Sequence, residues 1–113
     1  MGVNEHYFDE LGREVWYQNG KRHREDGPAI IYSCGSKFWY LYGLRHREDG
    51  PAVDDMCGYQ AWYQNGKLHI VNGPAVVYAG GSYEFWIDGS RYENEILTRI
   101  EAQKWKRKQK ENK

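Results

Sequence analysis

The sequence predicts a mainly β protein: tandem 23-residue β-hairpin repeats in one antiparallel sheet, followed by a C-terminal α-helix. Three observations carry this. Landmarks recur at one fixed spacing of 23, without insertions. Each unit contains an aromatic strand leading into a tight-turn dipeptide. After residue 92 the β pattern stops and apolar residues fall at helical spacing.

The repeat is defined first by rings and glycines. Trp16, Trp39, Trp62 and Phe85 are equivalent, as are Gly20, Gly43, Gly66 and Gly89, and Gly12, Gly35, Gly58 and Gly81. His23, His46, His69 and Tyr92 form a further set, and Gly-Pro-Ala recurs at 27–29, 50–52 and 73–75. Within the first unit, Trp16 to Gln18 reads as a strand. Asn19-Gly20 suits a two-residue type I′ turn, in which both residues have positive φ, and Lys21 to His23 returns. Asn65-Gly66 and Asp88-Gly89 repeat that signal. Asp26-Gly27-Pro28 then turns the chain, because proline cannot continue a ladder, and Ala29 to Tyr32 is the next strand.

The two-residue turn sets the register. Gln18 pairs with Lys21, Tyr17 with Arg22 and Trp16 with His23. Cross-strand partners share a face, so the Trp and His residues line one face while Tyr17, Tyr40, Tyr63 and Trp86 line the other. Residues 1–92 are read as the repeat domain. Residues 93–113 are read as an amphipathic helix with a basic tail. Ile96, Leu97 and Ile100 would cover the open end of the stack, and Trp105 would point outward among lysines and arginines.

The run Trp-Tyr-Gln-Asn-Gly-Lys-Arg-His at 16–23, with the 23-residue period, resembles MORN repeats. It is closest to a variant form carrying His-Arg-Glu-Asp-Gly-Pro-Ala, which occurs in short bacterial and bacteriophage proteins. The resemblance covers roughly residues 7–92. It implies stacked hairpins in an elongated, curved antiparallel sheet and a role in protein–protein contact. For a phage protein it implies an inhibitor or adaptor acting on a host protein, such as a defence protein.

Composition narrows the function classes. Aromatics make up 16% of 113 residues, with 5 Trp, 10 Tyr and 13 Gly, so the apolar surface is expected to be aromatic rather than a thick aliphatic core. The 16 basic and 16 acidic residues cancel, but the tail is basic and the body acidic. The tail with Trp105 is a weak candidate for nucleic acid; its simpler reading is a solvated helix end. No run reaches the roughly 18 apolar residues of a membrane span, and no signal peptide is legible, so a cytoplasmic protein is expected. His23, His46 and His69 would lie about 10 Å apart, too far to share a metal ion. Each is expected to pack on a tryptophan. Cys34 and Cys57 are kept apart by the same spacing and are expected to be free thiols. His-Arg-Glu-Asp at 23–26 and 46–49 reads as a solvated turn with self-paired charges, with a recognition patch as its rival.

No catalytic arrangement is legible, because nearly every polar candidate comes in copies. The expected function is a non-catalytic protein-binding module without cofactor or metal. Its contact residues are Tyr17, Tyr40, Tyr63, Trp86, Arg22, Arg45 and Trp105, and its partner is a host protein or a second copy in a homodimer. The alternative is capture of a small nucleotide-like anion, since Arg22, Arg45 and Arg91 recur on one face.

Overall fold

The computed structural model describes residues 3–71, 73–91, 103, 104 and 107. The strands in chain order are β1 (Asn4–Phe8), β2 (Glu14–Gln18) and β3 (Lys21–Arg22), then β4 (Ile30–Ile31), β5 (Lys37–Phe38), β6 (Tyr40–Leu41) and β7 (Leu44–Arg45). The pattern repeats with β8 (Val53–Asp54), β9 (Gln60–Ala61), β10 (Tyr63–Gln64) and β11 (Lys67–Leu68). It closes with β12 (Val76–Val77), β13 (Tyr83–Glu84), β14 (Trp86–Ile87) and β15 (Ser90–Arg91). The main sheet runs β1-β2-β4-β5-β8-β9-β12-β13, antiparallel throughout. The tight hairpins β6–β7, β10–β11 and β14–β15 project from one side of this path. The result is an elongated body of 47 × 28 × 23 Å.

Each aromatic segment therefore does two jobs. Its first half pairs with the strand before it, and its second half enters the turn. Neighbouring hairpins are joined as well. Arg24 N–H donates to the Tyr40 carbonyl at 3.1 Å and Gly43 N–H to the Arg22 carbonyl at 2.8 Å. The same two bonds recur one repeat later, from Arg47 to Tyr63 and from Gly66 to Arg45. The expected pairs Tyr17–Arg22 and Gln18–Lys21 are present, and His23 N–H donates to the Trp16 carbonyl.

The turns have the type I′ signature of two consecutive positive φ values. They are 52° and 77° at Asn19-Gly20, 51° and 82° at Asn65-Gly66, and 48° and 81° at Asp88-Gly89. The second copy is the exception. Tyr42 holds a φ of 50°, a strained conformation for a bulky residue. Its ring lies 4.3 Å from the His23 ring, a contact that offsets part of the strain.

The buried row is more aliphatic than composition implies. Val15, Ile30, Phe38, Val53, Ala61 and Val76 are successive cross-strand partners running the length of the sheet. Val15 and Val76 are 1% and 2% exposed. Tyr17, Tyr32, Tyr40 and Tyr63 pack beside this row, and Phe38 touches both of its halves. Alternation puts Trp16, Trp39 and Trp62 on the other face. Ala29, Ala52 and Ala75 bond to these Trp strands and are fully buried, which explains why the turn motif ends in the smallest apolar residue with a side chain.

The aromatic row Tyr17, Tyr40, Tyr63 and Trp86 is not an open surface: Tyr40 is buried and the other three are half-buried. His23, His46 and His69 lie across from the tryptophans, each backbone N–H donating to a Trp carbonyl, and each ring is satisfied by a backbone N–H. Cys34 and Cys57 are free and exposed. The expected helix from 93, with Ile96, Leu97, Ile100 and Trp105, lies outside the described residues, as do Asn72 and Tyr92. Gln103, Lys104 and Arg107 are helical in conformation, but no helix is defined among the described residues, and none there is long and apolar enough to cross a membrane.

Candidate functional site

The two faces of the sheet use their charged residues differently. On the Trp face the motif His-Arg-Glu-Asp-Gly-Pro is a structural clamp. Each histidine accepts, through Nδ1, the N–H of the first turn residue in the next repeat. His23 takes Tyr42 at 2.9 Å, His46 takes Asn65 at 3.0 Å and His69 takes Asp88 at 2.9 Å. A 19-residue offset thus ties every hairpin to its successor, which a cross-strand pairing argument within one hairpin does not reveal. The Arg24 guanidinium lies 3.9 Å above the Trp16 ring and donates to Asp26 and to the Pro28 carbonyl. Arg47 repeats this over Trp39 at 3.8 Å, with Asp49 and Pro51. A Cβ at Gly27 or Gly50 would fall 2.9 or 2.7 Å from the arginine Cζ, so glycine makes room for the clamp.

A groove of about 680 Å³ separates two of these loops, lined by Trp39 and by Arg24, Asp26, His46, Arg47 and Asp49 among others. Its arginines are already paired with the aspartates two residues on. The self-paired reading of the motif is the one these contacts support. In the third copy Ile70 replaces the arginine and Val71 is 63% exposed, so no guanidinium covers Trp62 among the described residues.

On the opposite face Tyr and Arg alternate along the array. Arg22 Nη1 donates to the Tyr40 hydroxyl at 3.5 Å, and Arg45 Nε donates to the same oxygen at 3.2 Å. Arg45 Nη1 reaches the Tyr63 hydroxyl at 3.3 Å. Arg22 and Arg45 also lie 5.4 Å from the centres of the Tyr40 and Tyr63 rings. Burial works against the charge on both arginines. The hydroxyls of Tyr17 and Tyr40 around Arg22, and of Tyr40 and Tyr63 around Arg45, outweigh it and raise both pKa values. With two guanidiniums donating to it, the Tyr40 oxygen has both lone pairs engaged, and its own proton meets no acceptor among the described residues.

Neither arginine meets a carboxylate among the described residues. The contrast with the last repeat is direct. There Arg91, at the position of Arg22 and Arg45, lies 3.8 Å from Glu84, which also accepts from Tyr78 and the Trp86 indole. Glu84 ends the aliphatic row, so at that end the arginine has a carboxylate within reach; at the other end Glu5, across from Tyr17, shares the face without an ion pair to Arg22. Of the expected contact residues, Tyr17, Arg22, Tyr40, Arg45 and Tyr63 come together in one ladder, and Trp86 continues it beyond Leu68. Trp105 lies outside the described residues.

No protein-family model, curated protein or solved structure matches this chain. The likeness to MORN repeats rests on the motif and its period.

The carboxylates give the fold a pH dependence. At Asp9, burial opposes ionisation. The Arg13 N–H and guanidinium, together with the Leu11 N–H, outweigh it and hold the carboxyl below its usual range. The Cys57 N–H, then Ser36, do the same at Asp55, and the Trp86 indole, then Tyr78, at Glu84. Carboxyls with depressed folded-state pKa values stabilise the fold fully above their unfolded value of about 4, and that contribution is lost as pH falls through the folded values. The melting temperature is therefore expected to stay flat from neutral pH down to about 5 and to drop below about 4. A Glu84→Gln variant should show a shallower drop in the same thermal scans.

Proposed function

We propose that this protein is a non-catalytic, MORN-like binding module that grips an acidic segment of another protein along its Tyr/Arg face. One observation supports the reading: Arg22 and Arg45 are half-buried and charged, meet no carboxylate among the described residues, and flank the hydroxyl of Tyr40 as donors. The tyrosine hydroxyls hold both guanidiniums charged without neutralising them, so their charge stays available to an incoming anion. A carboxylate seated between the two arginines would receive charge-assisted bonds from both and a third from Tyr40. Half-buried Tyr17, Tyr63 and Trp86 supply rigid contact area on either side, as aromatic anchors do in protein interfaces. For a phage-encoded chain, the expected partner is a host protein in the cytoplasm, and the module acts as inhibitor or adaptor.

The same donors also fit the phosphates of a nucleotide, so the test separates the two. Titration calorimetry with a Glu/Asp-rich peptide containing aromatic residues, and in parallel with ATP and inorganic phosphate, should show saturable binding of the peptide and much weaker binding of the others. Tight ATP binding with none of the peptide would replace this reading with ligand capture.

A further inference from the structure

From the N-terminal edge of the sheet, we infer that two copies of this chain pair β1 to β1 in a two-fold antiparallel arrangement, joining their sheets into one. This goes beyond the Tyr/Arg face and rests on different residues. Strand β1 has five residues, matching β2, whereas every strand after β2 has two. It pairs with β2 on one side and with no other strand among the described residues. Val3 accepts from Asn19 N–H and Asp9 N–H donates to Arg13, so odd-numbered residues of this segment turn their backbone groups toward β2. Alternation leaves the N–H and C=O of Asn4, His6 and Phe8 facing outward.

The apolar surface gathers at the same end. Val3, Tyr7, Phe8 and Leu11 are 61%, 45%, 70% and 74% exposed, four of the nine large apolar side chains exposed among the described residues. An edge of this length normally carries lysine, proline or a bulge to prevent pairing. β1 reads Asn-Glu-His-Tyr-Phe, with Glu5 as its one carboxylate and no lysine, proline or bulge.

The occupant is a second copy because the strand complements itself. With His6 on the two-fold axis, Asn4 lies opposite Phe8 of the partner subunit, and Glu5 lies opposite Tyr7 of the partner subunit. No glutamate meets a glutamate, and each Glu5 carboxylate has a tyrosine hydroxyl beside it. The two central histidines bring their own counter-charge, since His6 Nε2 is 2.7 Å from Glu14 while its ring stacks on Trp16 at 4.2 Å. Three outward-facing pairs give about six new backbone hydrogen bonds. A contact confined to one five-residue edge strand should bury less than the roughly 1,200 Å² of standard interfaces, so a weak dimer is expected, with a dissociation constant on the order of tens of micromolar.

Sedimentation velocity from about 5 µM to about 1 mM tests this directly. The full-length chain should move from monomer to dimer across that range. Phe8→Lys, on a side chain that is 70% exposed, should stay monomeric throughout with an unchanged melting temperature. His6→Pro removes the central outward N–H without touching a bond to β2 and should also stay monomeric. An Arg22→Ala/Arg45→Ala variant should dimerise like the parent, which separates failure of this proposal from failure of the acidic-segment reading. A parent chain that is monomeric at 1 mM, or a dimer that survives both edge substitutions, overturns the pairing.

Discussion

Phe38→Ala is expected to destabilise the protein by about 3 kcal/mol and to lower its melting temperature by roughly 15 °C. Phe38 pairs with Ile30 on one side and Val53 on the other, and it is the side chain that packs against both halves of the buried row. Removing it opens a gap in the middle of a one-layer core that has little else to close over it. A thin domain of this size has about 5 kcal/mol in total, so the loss is a large part of the whole. Urea unfolding followed by tryptophan fluorescence and by circular dichroism should give coincident, shifted transitions. Leu44→Ala, on a half-exposed hairpin side chain, should change stability by no more than about 0.5 kcal/mol. Equal effects from the two substitutions would mean that the row is not the core.

The second large effect is on binding. Arg22→Ala with Arg45→Ala should weaken the acidic peptide by about 100-fold or more, since each charge-assisted bond contributes about 1.5–3 kcal/mol. The fold should lose little stability, because the change removes hydrogen bonds to tyrosine hydroxyls but breaks no ion pair among the described residues. Arg24→Ala with Arg47→Ala should do the reverse. Those guanidiniums cover Trp16 and Trp39 and hold the loop carbonyls, so stability falls while peptide affinity changes little. Raising salt above 0.15 M, where the screening length is about 8 Å, should weaken the parent complex more than the Arg22/Arg45 variant.

The period, the turns and the register were legible in the sequence because each depends on local rules. Asn19-Gly20 can hardly be anything but a type I′ turn, and that turn dictates the Tyr17–Arg22 pairing. Contacts between repeats were not legible. The bond from Tyr42 N–H to His23 spans 19 residues and depends on how one hairpin lies against the next. The Arg24 lid on Trp16 likewise needs the loop to fold back over the face, and Gly27 is its only trace in sequence. The aliphatic row was missed because Val15, Ile30, Val53 and Val76 are few and scattered, and composition drew attention to the rings. Arg22 and Arg45 were legible as a repeated position. Their lack of an ion pair among the described residues was not, since it depends on which side chains come within reach across repeats. The edge strand β1 precedes the first recognisable unit and carries no motif.

The central claim is that the charges of the Trp face hold the fold while those of the Tyr/Arg face await a partner. Nitrogen-15 NMR of the arginine Nε–Hε groups, recorded as the acidic peptide is added, tests it most directly. The signals of Arg22 and Arg45 should shift and saturate together with the calorimetric affinity, and those of Arg24 and Arg47 should stay in place. Shifts confined to Arg24 and Arg47, with Arg22 and Arg45 unmoved, would contradict the account.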